Sequence, residues 1–276
     1  MSSLLAGPRP KRYREALKDI NEALTLRPFW TALAQEELRL RFRRTSLGPF
    51  WATLSFAVFL GVKTLIFGQM AIDMDVARFA VFLALGFWAW NFISGVVAGG
   101  ATSLISAEPW LLGMRLPASL FAMETTAREL QLFAASGIAV IAVLILAGVA
   151  PDPVAALSLV PAIALYAVTG FFTCLLLGVA ALRYRDLVQA VQTLMRVLFF
   201  LTPILWTEGL IGRLGGAGQV LRLNPFTYYL DILRGPIITG QIPWTSWAIC
   251  LTCTAVIAGL GFVLFAHCRR RLAYWY

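Results

Sequence analysis

The sequence predicts an all-α integral membrane protein with six transmembrane helices, an N-terminal amphipathic interface helix and a re-entrant helical segment on the outer side, between the fifth and sixth spans. Two observations predict this fold class. The 276-residue chain is 59% hydrophobic and 13% charged, whereas soluble domains are about 45–50% apolar and about 25% charged. In addition, its basic residues gather beside long apolar runs, as expected for positive charge kept on the cytoplasmic side of a membrane.

The N-terminal region changes pattern at residue 24. Residues 1–23 are polar and basic and are predicted to form a flexible cytoplasmic tail. Over residues 24–46, apolar side chains such as Leu26, Phe29 and Leu33 recur at helical spacing. This spacing predicts an amphipathic helix that lies in the cytoplasmic interface with its apolar face towards the lipid.

Residues 47–267 contain the predicted transmembrane domain, because about 20 apolar residues cross a bilayer as a helix. The candidate spans are Phe50–Met70, Phe79–Ile105, Leu120–Ala150, Ala155–Leu182, Leu187–Trp206 and Trp244–His267. Six spans leave both chain ends on one side. The predicted outer loops carry only Arg78, Arg213, Arg222 and Arg234, so the positive-inside rule puts both termini, including the tail 268–276, in the cytoplasm.

The outer segment 207–243 is mostly apolar, but glycines and prolines interrupt it before any run reaches a full span. We interpret it as a pair of short helices that enter the outer leaflet and return. Such backbone is tolerated only against protein or a water-filled cavity, which indicates a pore or gate. The alternative is a pair of interfacial helices that lie flat.

Ionisable residues within the spans indicate either a polar path or structural pairing. Glu124 and Arg128 are four residues apart, so they share a helix face and can form an ion pair. Lys63 and Arg196 also lie within spans. Charge at this depth usually faces the bundle interior or water, although a pair near the inner interface can also be structural.

A short cytoplasmic helix is predicted between the second and third spans. Ser106 can cap it, and Glu108 and Pro109 suit its first turn. The run Trp110–Leu112 then gives it an apolar face, which favours docking to a partner protein. Packing beneath the membrane is the alternative.

Several functions are excluded or disfavoured by what the sequence lacks. No P-loop motif is present, so the chain does not bind ATP in that mode. His267 is the sole histidine, which leaves no histidine cluster for a metal or for catalysis. The net charge of +9 is explained by the membrane pattern rather than by nucleic acid. Asp73 and Asp75 resemble the Asp-x-Asp pair of metal-dependent glycosyltransferases, but solvated loop charge explains them better.

Six stretches together resemble the membrane subunit of type-2 ABC exporters that move polysaccharides, the permeases for O-antigen, capsule and teichoic acid. They follow the family order and cover most of the chain. The stretches are Arg41–Trp51 (RFRRTSLGPFW), Gly86–Phe92 (GFWAWNF), Arg183–Asp186 (RYRD), Leu201–Trp206 (LTPILW), Asn224–Tyr228 (NPFTY) followed by Arg234, and Arg270–Trp275 (RRLAYW).

The resemblance implies a bacterial inner-membrane permease with no catalytic or metal site and no cofactor of its own. Two copies would form a homodimer around a channel, and two separate ATP-binding subunits would bind ATP and Mg²⁺. The substrate would be a polysaccharide on a polyprenyl-pyrophosphate lipid, carried to the outer leaflet. A type-2 exporter for a lipid or a drug shares this fold and remains open, and a glycosyltransferase or a secondary transporter is a more distant alternative.

Site residues follow from the resemblance together with side-chain chemistry. The pyrophosphate contacts are assigned to an arginine cluster that can instead anchor lipid headgroups, and the channel aromatics can instead form an interfacial belt. The assigned sets are Trp51, Phe87, Trp88, Trp90 and Phe92 for the channel; Arg39, Arg41, Arg43 and Arg44 for pyrophosphate or headgroups; Ser106, Glu108, Trp110, Leu111, Leu112 and Arg115 for coupling to the ATPase; and Pro203, Trp206, Asn224, Pro225, Tyr228 and Arg234 for the outer gate.

Overall fold

All regular structure in the described part of the chain is helical, which confirms the all-α prediction there. The computed structural model describes residues 9–45, 47–48, 50–68, 75–206 and 223–275. The helices are α1 (Arg9–Thr25), α2 (Arg27–Arg41), α3 (Phe50–Phe67), α4 (Val76–Ser106), α5 (Glu108–Gly113), α6 (Ser119–Leu146), α7 (Pro153–Leu157), α8 (Leu159–Arg183), α9 (Asp186–Leu201), α10 (Pro225–Ile238) and α11 (Trp244–Cys268), followed by a 3₁₀ helix (Arg269–Tyr274).

Five helical segments of the described chain are long and apolar enough to cross a membrane. They are Phe50–Phe67, Val76–Gly113, Ser119–Leu146, Pro153–Arg183 and Trp244–Leu272. They correspond to the predicted first, second, third, fourth and sixth spans.

The predicted fifth span, Leu187–Trp206, is not confirmed as a full crossing. Its helix, α9, has 16 residues and is therefore about 24 Å long, less than the bilayer core of about 30 Å. The helix ends because Pro203 disfavours helical backbone at the residue before it. Thr202 accordingly adopts extended angles, φ −105° and ψ 134°.

Helix α4 forms the centre of the bundle, where it packs mainly against α6 and α8, while α8 also packs against α11. A helix that is apolar on all sides is expected to be buried in this way. Glycine permits a close approach between α4 and α8, because a Cβ at Gly100 would lie 2.8 Å from the Cα of Cys174.

Both ends of the described chain lie at one end of the bundle, which we call the α2 end. There α1 packs on α11 and α6. Arg269 Nε donates to Asp19 at 2.7 Å, and Asp19 also accepts from the hydroxyl of Ser119 at 2.6 Å. Arg270 donates to Glu15 and holds the pKa of that carboxyl below its usual value.

The prediction of a flexible tail for residues 1–23 therefore needs correcting from Arg9 onward, where the chain forms a docked helix. Its partners are remote in sequence, so the local pattern gave no sign of them. Helices α7 and α10 pack together at the opposite end of the bundle.

Candidate functional site: a polar and aromatic cavity beside α4

A cavity of about 1130 Å³ lies between α3, α4, α6 and α9. Its lining begins at the α2 end with Arg41 and Trp51 and reaches Asn91, halfway along α4. On α9 it reaches Arg196, ten residues from the start of that helix, or about 15 Å along it. The cavity thus extends from the α2 end to about half the depth of the bundle.

The lining of the cavity combines aromatic faces with neutral polar groups. Trp51, Phe59 and Phe92 supply rings, and Ser55 and Gln192 supply a hydroxyl and an amide, among other lining residues. Such a surface can stack against the apolar faces of a ligand ring and also exchange hydrogen bonds with its hydroxyl groups.

An aromatic cluster, made of Phe59, Phe87, Trp90, Phe199 and Phe226, extends from the cavity lining at Phe59 to α10. The ring centroids of Phe59 and Phe87 are 4.9 Å apart, and those of Phe87 and Phe199 are 5.7 Å apart. Trp90 contacts Phe199 at 5.9 Å and Phe226 at 5.8 Å. Since Phe226 belongs to α10, the cluster lies between the cavity and the opposite end of the bundle.

The five predicted channel aromatics separate into three groups. Trp51 and Phe92 line the cavity. Phe87 and Trp90 are only 2% and 6% exposed and belong to the aromatic cluster. Trp88 stacks on Phe133 with a centroid distance of 4.0 Å and donates from Nε1 to the Phe133 carbonyl at 2.7 Å, so it packs α4 against α6.

An ion cluster joins α2 to α6 beside the cavity. Arg128 pairs with Glu124 at 3.3 Å, as the four-residue spacing predicts, and with Glu129 at 3.5 Å. It also pairs with Glu37 of α2, a partner that the sequence analysis missed. Glu129 lines the cavity. Its carboxylate packs against Gly95, in the space that a larger side chain at that position would fill. The ion pairs of Arg128 with Glu37 and Glu129 therefore connect α2 to the cavity wall.

The four arginines assigned to pyrophosphate or headgroups have different surroundings. Arg41 lines the cavity. The Arg39 side chain is 74% exposed and is 3.9 Å from Glu36. Arg43 and Arg44 are exposed in the turn that ends α2.

The predicted coupling helix is present as α5, with Glu108 in its first turn. Ser106 does not cap it, contrary to the prediction, because Ser106 is the last residue of α4 and its hydroxyl donates to the Thr102 carbonyl at 3.0 Å. Trp110 packs edge-on against Phe29 of α2, with a centroid distance of 5.9 Å.

The face of α5 that points away from the bundle is apolar and accessible. Leu112 is 62% exposed, and Leu111 is partly buried against the core. Arg115, in the chain that follows α5, is exposed. Helices α5 and α2 thus form a continuous apolar surface at the α2 end.

The residues assigned to the outer gate fasten the end of α9 to α10. Asn224 caps α10 and donates from Nδ2 to the Leu201 carbonyl at 3.0 Å. Arg234, 5% exposed, donates to the carbonyls of Pro203 at 2.6 Å and Ile204 at 3.2 Å. Its guanidinium lies 3.8 Å from the ring centroid of Phe82. We call this group the Arg234 clasp.

The other assigned gate residues lie near the clasp. Trp206 donates from Nε1 to the Phe200 carbonyl at 3.2 Å. Pro225 opens α10, and Tyr228 is partly buried on it. The first half of the predicted re-entrant pair, residues 207–222, lies outside the described residues, and so does Asp73. Asp75 caps α4 by accepting from the Arg78 amide at 2.9 Å. Within the described part of the chain, no cluster of three or more metal-ligating side chains occurs.

Several cavity residues escaped the site assignments made from sequence. Gln192 and Arg196 lie one turn apart on α9, and Asn91 lines the cavity from α4. The sequence does contain a pattern that indicates these residues. Gln189, Gln192 and Arg196 recur at helical spacing and form a polar stripe on an otherwise apolar helix.

Comparison with known proteins gives consistent matches over most of the chain. A family model described as "ABC-2 type transporter" matches residues 29–238. An "O-antigen export system permease protein RfbA" from Myxococcus xanthus is 25% identical over 243 residues, which cover 86% of this chain and 91% of that protein. A protein of the same name from Klebsiella pneumoniae is 20% identical over 245 residues, covering 87% of this chain and 92% of the relative.

Proposed function

Since the chain belongs to the ABC-2 type transporter family, we propose that it is the permease subunit of an exporter that moves a lipid-linked polysaccharide such as O-antigen across the bacterial inner membrane. The family match and the five long apolar helices make the chain an integral membrane protein. The relatives named as O-antigen export permeases support the substrate class.

One observation contributes most to the proposal, namely the cavity of about 1130 Å³ that begins at the α2 end and is lined by both rings and polar groups. Sugar rings present apolar C–H faces as well as hydroxyl groups, so a polysaccharide needs both kinds of contact. The aromatic cluster closes this path towards the opposite end, and in the proposed cycle it separates to let the polymer pass.

The energy source in this proposal is a separate ATP-binding subunit, because the chain has no P-loop. Two such subunits bind ATP and Mg²⁺ and dock on α5 and α2 at the α2 end. Two copies of the permease form a homodimer in which the cavities contribute to one channel. In this arrangement both termini are cytoplasmic, α9 completes a sixth crossing, and α10 belongs to the outer gate.

Complementation of a bacterial strain that lacks its O-antigen permease tests the proposal. We expect the chain, expressed with its ATP-binding partner subunit, to restore polymer at the cell surface, and a Walker-motif variant of that subunit to abolish the effect. Absence of surface polymer from a correctly inserted complex would contradict the proposal. Export of a lipid or a drug by the same complex would then favour the alternative exporter class.

A further inference from the structure

The structure points to a binding site for an anionic, phosphate-type group at Arg196, inside the cavity and at about half the depth of the bundle. This inference rests on the proposed function, because it names the part of the transported molecule that the site receives. It moves the main anion contact from the arginine cluster at the end of α2 to a residue further inside the cavity.

The first argument is that Arg196 differs from the other charged side chains within the spans. Arg128 has Glu37, Glu124 and Glu129 as partners. Lys63 lies between the rings of Phe59 and Phe67, at 5.3 and 5.4 Å from their centroids.

Arg196, by contrast, is exposed on the cavity lining and forms no ion pair with any carboxylate of the described residues. A charge at this depth is costly unless it faces water or a counter-ion. The cavity supplies water, and an anionic ligand supplies the counter-ion.

The second argument concerns the groups around the guanidinium. Gln192 lies one turn earlier on the same face of α9, and Asn91 lines the cavity from α4. A guanidinium binds phosphate oxygens with two parallel hydrogen bonds, and side-chain amides can donate to further oxygens. Phe59, also in the lining, gives the adjoining apolar part of the ligand a ring to contact.

The third argument is the distribution of charge along the cavity. Glu129 is the one carboxylate among the lining residues, and it is held 3.5 Å from Arg128. Arg41 lies at the mouth of the cavity and Arg196 at the inner end. An anion that enters from the α2 end therefore meets a cation first at Arg41 and then at Arg196, while the carboxylate of Glu129 is paired with Arg128.

Binding measurements on the full-length chain in nanodiscs of neutral phosphatidylcholine test the site, with farnesyl pyrophosphate as the probe. We expect Arg196→Gln to weaken binding by about tenfold or more, since a charge-assisted pair of hydrogen bonds is lost. Arg196→Lys should retain an intermediate affinity and also shows that the position tolerates substitution. Arg185→Gln, which changes an exposed arginine at the start of α9 and outside the cavity lining, is the matched control and should bind as the wild type does.

Two further probes identify which part of the ligand the site binds. Farnesol, which lacks the pyrophosphate, should bind equally to wild type and Arg196→Gln. Phosphatidylglycerol should displace the probe far less effectively than unlabelled farnesyl pyrophosphate does. Equal displacement would show a headgroup site and overturn the assignment, as would unchanged probe affinity in a folded Arg196→Gln variant.

The same variants in the export assay separate the two proposals. If the wild type exports polymer and Arg196→Gln exports as much, the site is wrong while the permease function stands. If the wild type exports no polymer, the proposed function fails regardless of Arg196.

Discussion

The Arg234 clasp offers a sharp test of how the α9–α10 junction is held. Its guanidinium donates to the carbonyls of Pro203 and Ile204, which directly follow the C-terminal end of α9. The clasp also needs Gly86, because a Cβ there would overlap Nη2 of Arg234. Two independent substitutions, Arg234→Met and Gly86→Ala, should therefore loosen the same contact from opposite sides.

The expected magnitude follows from the hydrogen bonds. Each bond from a charged donor is worth about 1.5–3 kcal/mol, and relief of the buried charge offsets part of that sum. We expect Arg234→Met to destabilise the fold by about 2–4 kcal/mol. Gly86→Ala should cost about 1–3 kcal/mol, because the guanidinium must shift and its bond to Ile204 is lost.

Thermal unfolding of the purified chain in nanodiscs measures both effects. At about 2–4 °C for each kcal/mol, each variant should unfold several degrees below the wild type. Gly259→Ala is the matched control, because a Cβ at Gly259 in α11 meets no atom within 4 Å. It should unfold at or slightly above the wild-type temperature, since alanine favours helix over glycine.

A double-mutant cycle then tests whether the two residues act through one contact. The added methyl at Gly86 has no guanidinium to displace once Arg234 is methionine, so the double variant should resemble Arg234→Met alone. The clasp would be refuted if the two losses added in full, or if Gly86→Ala were as stable as Gly259→Ala.

Three further predictions follow from the α2 end and from the aromatic cluster. Leu112→Asp should abolish co-purification of the ATP-binding subunit without lowering the unfolding temperature of the chain, because Leu112 is 62% exposed on α5; retained co-purification would contradict docking there. Glu37→Gln should lower export several-fold by weakening the link from α2 to Arg128, whereas Glu36→Gln, at 3.9 Å from Arg39 and largely exposed, should not. Trp90→Ala should let a small dye leak from proteoliposomes through the gap in the aromatic cluster, while Trp244→Ala, 74% exposed, should leave them sealed.

Local pattern was enough to locate most of the helices. Composition and apolar runs predicted the helices that start at Phe50, Val76, Ser119 and Trp244 to within a few residues at most ends. The ion pair of Glu124 with Arg128 was predictable because both members are on one helix, one turn apart.

Features that depend on contacts between distant segments were not predictable in this way. Helix α1 docks through Asp19, whose partners Ser119 and Arg269 are far away in sequence. The role of Trp88 was missed for the same reason, because its place against Phe133 depends on how α4 meets α6. Arg234 was assigned to an outer gate, but only the packed structure shows that it holds two backbone carbonyls.

Photo-crosslinking during transport tests most directly whether the polymer passes through the cavity. A photoreactive residue would replace Ser55, which lines the cavity, or Ala57, which is exposed on α3 outside the lining. With the ATP-binding subunit, ATP and lipid-linked polymer present, we predict labelling of the polymer from position 55 and none from position 57. Equal labelling from both positions, or labelling from position 57 alone, would contradict transport through this cavity.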